Sequence, residues 1–250
     1  MLLTIDLGNS TASMGIFNGG RLVDAACFNL CEFPKRPLKW IKSGDFSINS
    51  ALVISVNPKF NPVLSGMLSK FLPRNSVIWL NNGSIPIKNR YKNVGQVGID
   101  RLVNVYGGGH FYGFPCLVID IGTAVTFDFG SPSGSFEGGM IFPGPYLSVE
   151  ALTHGTARIG SLKVDNFLKP SLVGRTTEEC VISGISVAYS ILIPGIIQQY
   201  RSFVWRKWKK KLNVVVTGGF TDVVKPCLKR EDHKDKFLTL KSLAHLSGRV

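Results

Sequence analysis

Apolar and polar positions along the chain run through the same pattern twice. Leu2, Leu3 and Ile5 lead into Asp6-Leu7-Gly8-Asn9-Ser10, and Leu117, Val118 and Ile119 lead into Asp120-Ile121-Gly122-Thr123-Ala124. Met14-Gly15-Ile16-Phe17 follows the first phrase and Val125-Thr126-Phe127 the second. Each round predicts a strand, a tight glycine turn and a returning strand, with an acid at the end of the outgoing strand. Gly8 and Gly122 permit a turn that larger residues resist. The turn's N–H groups, with Asn, Ser or Thr beside them, suit a phosphate. Two such turns suggest a duplicated fold gripping a nucleotide between its halves.

Further elements follow. A turn at Asn18-Gly19-Gly20 divides the strands of residues 1–30, and residues 34–48 suit a loop and a short helix. The continuous apolar run Ala51–Val56 predicts a buried strand, Asn61–Leu72 a helix closed by Pro73, and Val77–Leu80 another strand. Residues 81–97 read as loop, and a helix begins near Ile99. Then strands are expected at 116–121, 123–129 and 136–142, helices at 146–154 and 176–208, and strands at 212–217 and 236–240. The restart places a domain boundary near residue 114, giving halves 1–114 and 115–250.

Bulk properties narrow the class. A chain of 250 residues, 44% hydrophobic and 18% charged, buries a sizeable core. No run reaches the ~18–20 uninterrupted apolar residues of a membrane span, and the N-terminus does not resemble a signal peptide. Five scattered cysteines without a C-x-x-C pair predict buried, reduced thiols in a cytoplasmic protein. Cys27 and Cys31 lack a second ligand pair for zinc. The four histidines form no spaced pair, so a hydrolase triad has no support. The net charge of +13 suits anionic substrates, nucleic acid or a basic solvated surface. Its densest run, Arg206-Lys207-Trp208-Lys209-Lys210-Lys211, also suits the C-terminus of a helix.

Five segments carry candidate chemistry. Asp6, ending a strand beside a glycine turn, can hold a hydrated Mg²⁺ that bridges nucleotide phosphates; an Asp there also caps its own backbone. In Gly95-Gln96-Val97-Gly98-Ile99-Asp100-Arg101, Asp100 is either a first-turn helix acid or a general base toward a substrate hydroxyl. Arg101 offers a bidentate fork for a carboxylate or phosphate. Gly138–Gly144 permits close backbone approach. Thr176-Thr177-Glu178-Glu179 is an N-cap pattern. Val214–Gly219 is a buried strand ending in Thr-Gly-Gly, suited to an adenine or ribose platform.

These segments, in this order from Leu3 to Leu240, resemble type III pantothenate kinase, of the acetate and sugar kinase, Hsp70 and actin superfamily. The resemblance implies a duplicated actin-like (ribonuclease H-like) α/β fold, with two mixed sheets flanked by helices and the nucleotide cleft between halves. It implies ATP-dependent phosphorylation of the 4′-hydroxyl of pantothenate, the first step of coenzyme A synthesis, by a cytoplasmic homodimer. Asp6, Leu7, Gly8, Asn9, Ser10, Thr11, Ala12 and Ser13 would line the ATP phosphates, with Thr123 a further ATP contact. Asp100 would be the proton acceptor. Tyr91, Gly98, Ile99, Asp100, Arg101 and Thr177 would contact pantothenate. Asp120 would hold K⁺ or NH₄⁺, and Asp6 would hold Mg²⁺ through water. Ser10 stands where the family usually has Thr, and Thr176 where Asn is usual. The rival reading is a transcriptional accessory factor of the same fold, binding nucleic acid through its basic surface. The retained Asp6, Asp100, Arg101, Asp120 and Thr123 oppose it.

Overall fold

Strand β1 (Leu2–Leu7) has Leu3, Ile5 and Leu7 fully buried and even Thr4 closed off from solvent. Burial on both faces suits the central strand of a sheet covered by helices. The structure, a computed structural model, describes every residue except 157–158, 160–161, 163–171, 222–227 and 249–250. β1 pairs antiparallel with β2 (Thr11–Asn18) and parallel with β4 (Ser50–Ser55). With β3 (Arg21–Asn29) and β5 (Val77–Trp79), the order is β3-β2-β1-β4-β5. Helices α1 (Lys35–Ser43) and α2 (Asn61–Leu68) put Ile41, Leu64, Met67 and Leu68 into one core with Leu3, Ile5, Leu7 and Met14. A two-residue strand β6 (Lys88–Asn89) precedes helix α3 (Ile99–Tyr112).

The second round builds the same topology. β7 (Cys116–Ile121) pairs antiparallel with β8 (Ala124–Gly130) and parallel with β10 (Asn213–Thr217). β9 (Ser135–Pro143) lies beyond β8, and β11 (His233–Lys234) beyond β10. Helices α4 (Pro145–Gly155) and α5 (Thr177–Trp208) carry Val149, Val181, Ile185, Ile193 and Ile197 into a core with Leu117, Ile119, Phe127 and Val216. One antiparallel meander and one parallel extension, made twice, is the duplicated actin-like fold.

The chain divides into residues 1–107 with 237–250, and residues 108–236. The division falls inside α3, and the closing segment returns to the first unit. That segment is helix α6 (Leu238–Ser247), where the apolar run at 236–240 predicts a strand. Leu240, Leu243 and Leu246 are buried at helical spacing, which a short apolar run alone does not reveal. α6 braces the start of α3: Thr239 Oγ1 donates to Asn104 Oδ1 at 2.7 Å, and a side chain at Gly107 would collide with Ser242.

Two further expectations change. α5, interrupted by serines rather than charges, is long and apolar enough to cross a membrane by length and composition. Its buried side chains, 39% of the most apolar window, belong to the core of the second unit and account for part of that apolarity. Of the cysteines, Cys116 is buried but Cys27, Cys31 and Cys180 are exposed; Cys227 lies outside the described residues.

Candidate active site

In the first unit, the turn after β1 spans residues 8–11, because Leu7 pairs with Ala12. The Gly8 N–H donates to the Thr11 carbonyl at 2.9 Å, closing it. The Ser10 carbonyl accepts from the Leu30 N–H at 3.0 Å. Asn57 Nδ2 lies 3.5 Å from the carbonyl oxygens of both Gly8 and Asn9. Asn9 and Ser10 are exposed, and Asp6, Thr11 and Ser13 are half-buried. Leu7 and Ala12 point into the core, so only their main chain can face a ligand.

Asp100 occupies the first turn of α3. Its Oδ1 accepts from the Arg101 N–H at 2.9 Å, and that N–H also reaches the Gly98 carbonyl at 3.2 Å. A Cβ on Gly98 would collide with the same Oδ1, so the carboxylate folds back over the glycine. That Cβ would also stand 3.6 Å from Val56 Cγ1. The Val56 N–H in turn donates to the Leu7 carbonyl at 3.0 Å, so Gly98 neighbours the segment that flanks the end of β1. Burial raises the Asp100 carboxyl above its ordinary value; the N–H and charge of Arg101 oppose that rise. The raised carboxyl is a stronger proton acceptor than an exposed aspartate, which suits a general base.

Arg101 is only 7% exposed, and its guanidinium carbon sits 6.0 Å from the centroid of the Tyr91 ring. At this distance the ring attracts the guanidinium. Ile99 is buried, which leaves its main chain for any ligand contact. Asn82 Nδ2 donates to the Val97 carbonyl at 2.9 Å, anchoring the loop that leads into Gly98. Neither Asn82, within the 81–97 loop, nor Asn57 belongs to a motif that the amino-acid sequence marks for this site. Asp6, Gly8, Tyr91, Gly98, Asp100 and Arg101 thus all lie in one unit.

The second unit holds Asp120 and Thr123. Here the turn is residues 122–124, since Ile121 pairs with Val125. The Gly122 N–H donates to Ala124 O at 3.0 Å, and the Thr123 carbonyl accepts from the Gly144 N–H at 2.8 Å. Of the glycines of 138–144, Gly144 serves this turn, since a Cβ there would collide with the carbonyls of Gly122 and Thr123, whereas Gly139 closes on the Phe127 carbonyl of β8. Gly218, at φ +98°, closes on Asp120. Its Cβ would lie 2.5 Å from Asp120 Oδ1 and 2.6 Å from the Ile121 carbonyl oxygen. The Thr-Gly-Gly segment after β10, read from sequence as a nucleoside platform, thereby walls the Asp120 carboxylate.

At the start of α5, the Thr176 hydroxyl accepts from the Glu179 N–H at 3.1 Å. Glu179 Oε2 accepts from the Arg175 N–H at 2.6 Å. Thr176 is the cap, so the exposed Thr177 hydroxyl is not spent on capping Glu179. At the other end of α5, Lys211 pairs with Glu231 at 3.0 Å and Lys207 Nζ lies 4.6 Å from the Trp208 ring. Part of the basic run is thus engaged with its own fold.

Among the described residues no three His, Cys, Asp or Glu side chains gather as a metal cage. Asp6 alone at a turn fits Mg²⁺ that keeps waters and takes phosphate oxygens. Asp120 beside the Ile121 carbonyl, with no side chain on Gly218, fits a cation that takes carboxylate and carbonyl oxygens.

The family profile described as Type III pantothenate kinase matches residues 2–199. A type III pantothenate kinase of Persephonella marina is 33% identical over 97% of this chain and 96% of its own. That of Moorella thermoacetica is 31% identical, covering 97% of each chain. Among solved structures, a conserved, proposed Baf family transcriptional activator from Campylobacter jejuni superposes with a TM-score of 0.61 at 19% identity, covering 99% of this chain and 98% of that one. A proposed 2-dehydro-3-deoxygalactonokinase from Sinorhizobium meliloti gives 0.56 at 11%, covering 100% and 97%. These last two are likenesses of fold. The family match and near-full-length relatives do not favour the regulator reading.

Proposed function

The chain belongs to the type III pantothenate kinase family, and on that premise we propose that it moves the γ-phosphoryl group of ATP to the 4′-hydroxyl of pantothenate. The observation that carries this reading is the Asp100 carboxylate, raised by burial and folded over Gly98 beside the Val56 segment that flanks the first turn. Asp100 takes the hydroxyl proton as that oxygen attacks phosphorus. Arg101, braced by Tyr91, holds the pantothenate carboxylate, and Thr177 supplies a further polar contact. Main-chain N–H groups of Asn9 and Ser10, with the Ser10 and Ser13 hydroxyls, orient the phosphates, and Thr123 contacts ATP from the second turn. Asp6 would hold Mg²⁺ through water, and Asp120 would hold K⁺ or NH₄⁺; bound there, these cations offset charge on the phosphates.

The protein works in this reading as a cytoplasmic homodimer. Met140, Ile141, Leu147 and Ile191 of the second unit are exposed apolar side chains that a second copy would cover. A coupled assay for ADP, with Mg²⁺ and K⁺ present, tests the reaction. ADP release should require pantothenate; release indifferent to pantothenate would remove the acceptor assignment.

A further inference from the structure

Ser55-Val56-Asn57, the last residue of β4 and the two after it, fits none of the sequence motifs that carry chemistry. Its main chain is firmly placed. The Asn57 N–H donates to Ser55 Oγ at 3.1 Å, and Ser55 Oγ donates to Asn61 Oδ1 at 2.6 Å. The Val56 N–H continues the ladder to β1 through the Leu7 carbonyl. The Asn57 carboxamide thereby reaches the first turn, where two carbonyl oxygens, of Gly8 and Asn9, each lie 3.5 Å from Nδ2. Two acceptors require the NH₂ edge of the amide on this side. The next carbonyl, of Ser10, is already taken by the Leu30 N–H.

Three successive carbonyls of the turn are therefore drawn toward the protein. In a planar trans peptide the C=O of one residue and the N–H of the next point in opposite directions. Holding the Gly8 and Asn9 carbonyls on Asn57 aims the N–H groups of Asn9 and Ser10 away from it, on the exposed side of the turn. Successive N–H groups so aimed make a concavity for an anion. In the second turn the hold on the Thr123 carbonyl comes from a main-chain N–H, that of Gly144.

We infer that Asn57 is a positioning residue for nucleotide binding: its carboxamide presets the first turn so that main-chain N–H groups meet the ATP phosphates. This rests on the reading of that turn as the phosphate site. Asn57 touches the turn, not the transferred group, so its effect falls on nucleotide affinity rather than on pantothenate.

The test titrates the folded, full-length protein with a non-hydrolysable ATP analogue and Mg²⁺, alongside KM for each substrate. Asn57→Ala should weaken the analogue about tenfold, the scale of one lost hydrogen-bonding group. Asn57→Asp, which sets carboxylate oxygens against two carbonyls, should weaken it further. KM for pantothenate should stay within about twofold of wild type, a split that general loosening of the fold would not produce. Gly8→Val, which crowds the turn itself, separates the role of Asn57 from that of the turn. If Gly8→Val weakens the analogue but both Asn57 variants bind within about twofold of wild type, the role of Asn57 is overturned. If Gly8→Val leaves binding intact as well, the phosphate reading of the turn falls with it. Should Asn57→Asp fail to fold, Asn57→Ala and Asn57→Ser decide alone.

Discussion

The turn after Asp6 and the turn after Asp120 share a phrase but not a construction. The first spans residues 8–11; the second spans 122–124, one residue fewer. The first is held by a side chain, Asn57, and by the Leu30 N–H, and leaves Asn9 and Ser10 exposed. The second is held by main-chain N–H groups: Gly144 takes Thr123, and Phe220 takes Ile121 at 3.1 Å. Asp6 lies half-buried next to the last residue of its strand, opposite Ser13, whereas Gly218 closes on Asp120. A repeated strand–turn–strand makes a repeated fold, and the partners each turn recruits from distant chain decide what it can bind. An open turn with aimed N–H groups suits phosphate; a walled carboxylate beside carbonyls suits a bare cation. The proposed base belongs to neither copy.

That division can be broken most sharply at Asp100. Asp100→Asn should lower kcat by about 10²–10⁴-fold, the scale of general-base catalysis, with analogue binding retained; near-normal turnover would end the assignment. Because burial raises this carboxyl, turnover should fall as pH drops through a value above the ordinary carboxylate pKa. The stability sign runs the other way. A raised folded-state pKa means the folded protein binds the proton more tightly, so acidification from neutral pH relieves a buried charge. The Tm of wild type relative to Asp100→Asn should therefore rise as pH falls through that raised value and level off below the unfolded pKa.

Next in size are the two turn acids. Asp6→Asn should raise the Mg²⁺ concentration needed for half-maximal rate, and Asp120→Ala should abolish activation by K⁺ or NH₄⁺. Each loss is expected at roughly the 10–100-fold scale of a disturbed metal site. If both variants respond to the same ion, the turns are equivalent and the comparison collapses. Gly218→Ala should mimic Asp120→Ala and also lower stability by about 1–3 kcal/mol, because alanine resists a φ of +98°.

The smallest effects separate Thr176 from Thr177. Thr176→Ala removes a cap and should cost about 1 kcal/mol in thermal unfolding. Thr177→Ala should leave Tm unchanged and raise KM for pantothenate. The opposite assignment would exchange these outcomes.

The amino-acid sequence by itself determined the paired strands, because Leu3, Ile5, Leu117 and Ile119 sit in short apolar runs that a glycine turn ends and a second apolar segment follows. It also determined the glycine turns and the start of α3, since these depend on residues adjacent in the chain. Gly98 and Asp100 are two positions apart and both were legible as a turn and a first-turn acid, but the fold of the carboxylate over the glycine appears only in the structure. What only the tertiary structure decided are contacts between segments far apart in sequence. Asn57 meets Gly8 across 49 positions and Thr239 meets Asn104 across 135. Gly218 meets Asp120 because β10 pairs with β7, with Thr217 opposite Asp120. Such pairs leave no periodicity in the chain, because burial pattern encodes which face a residue takes and not which residue lies across from it. The return of α6 to the first unit was hidden for the same reason: a short apolar run fits strand and helix alike until the neighbouring surface selects one.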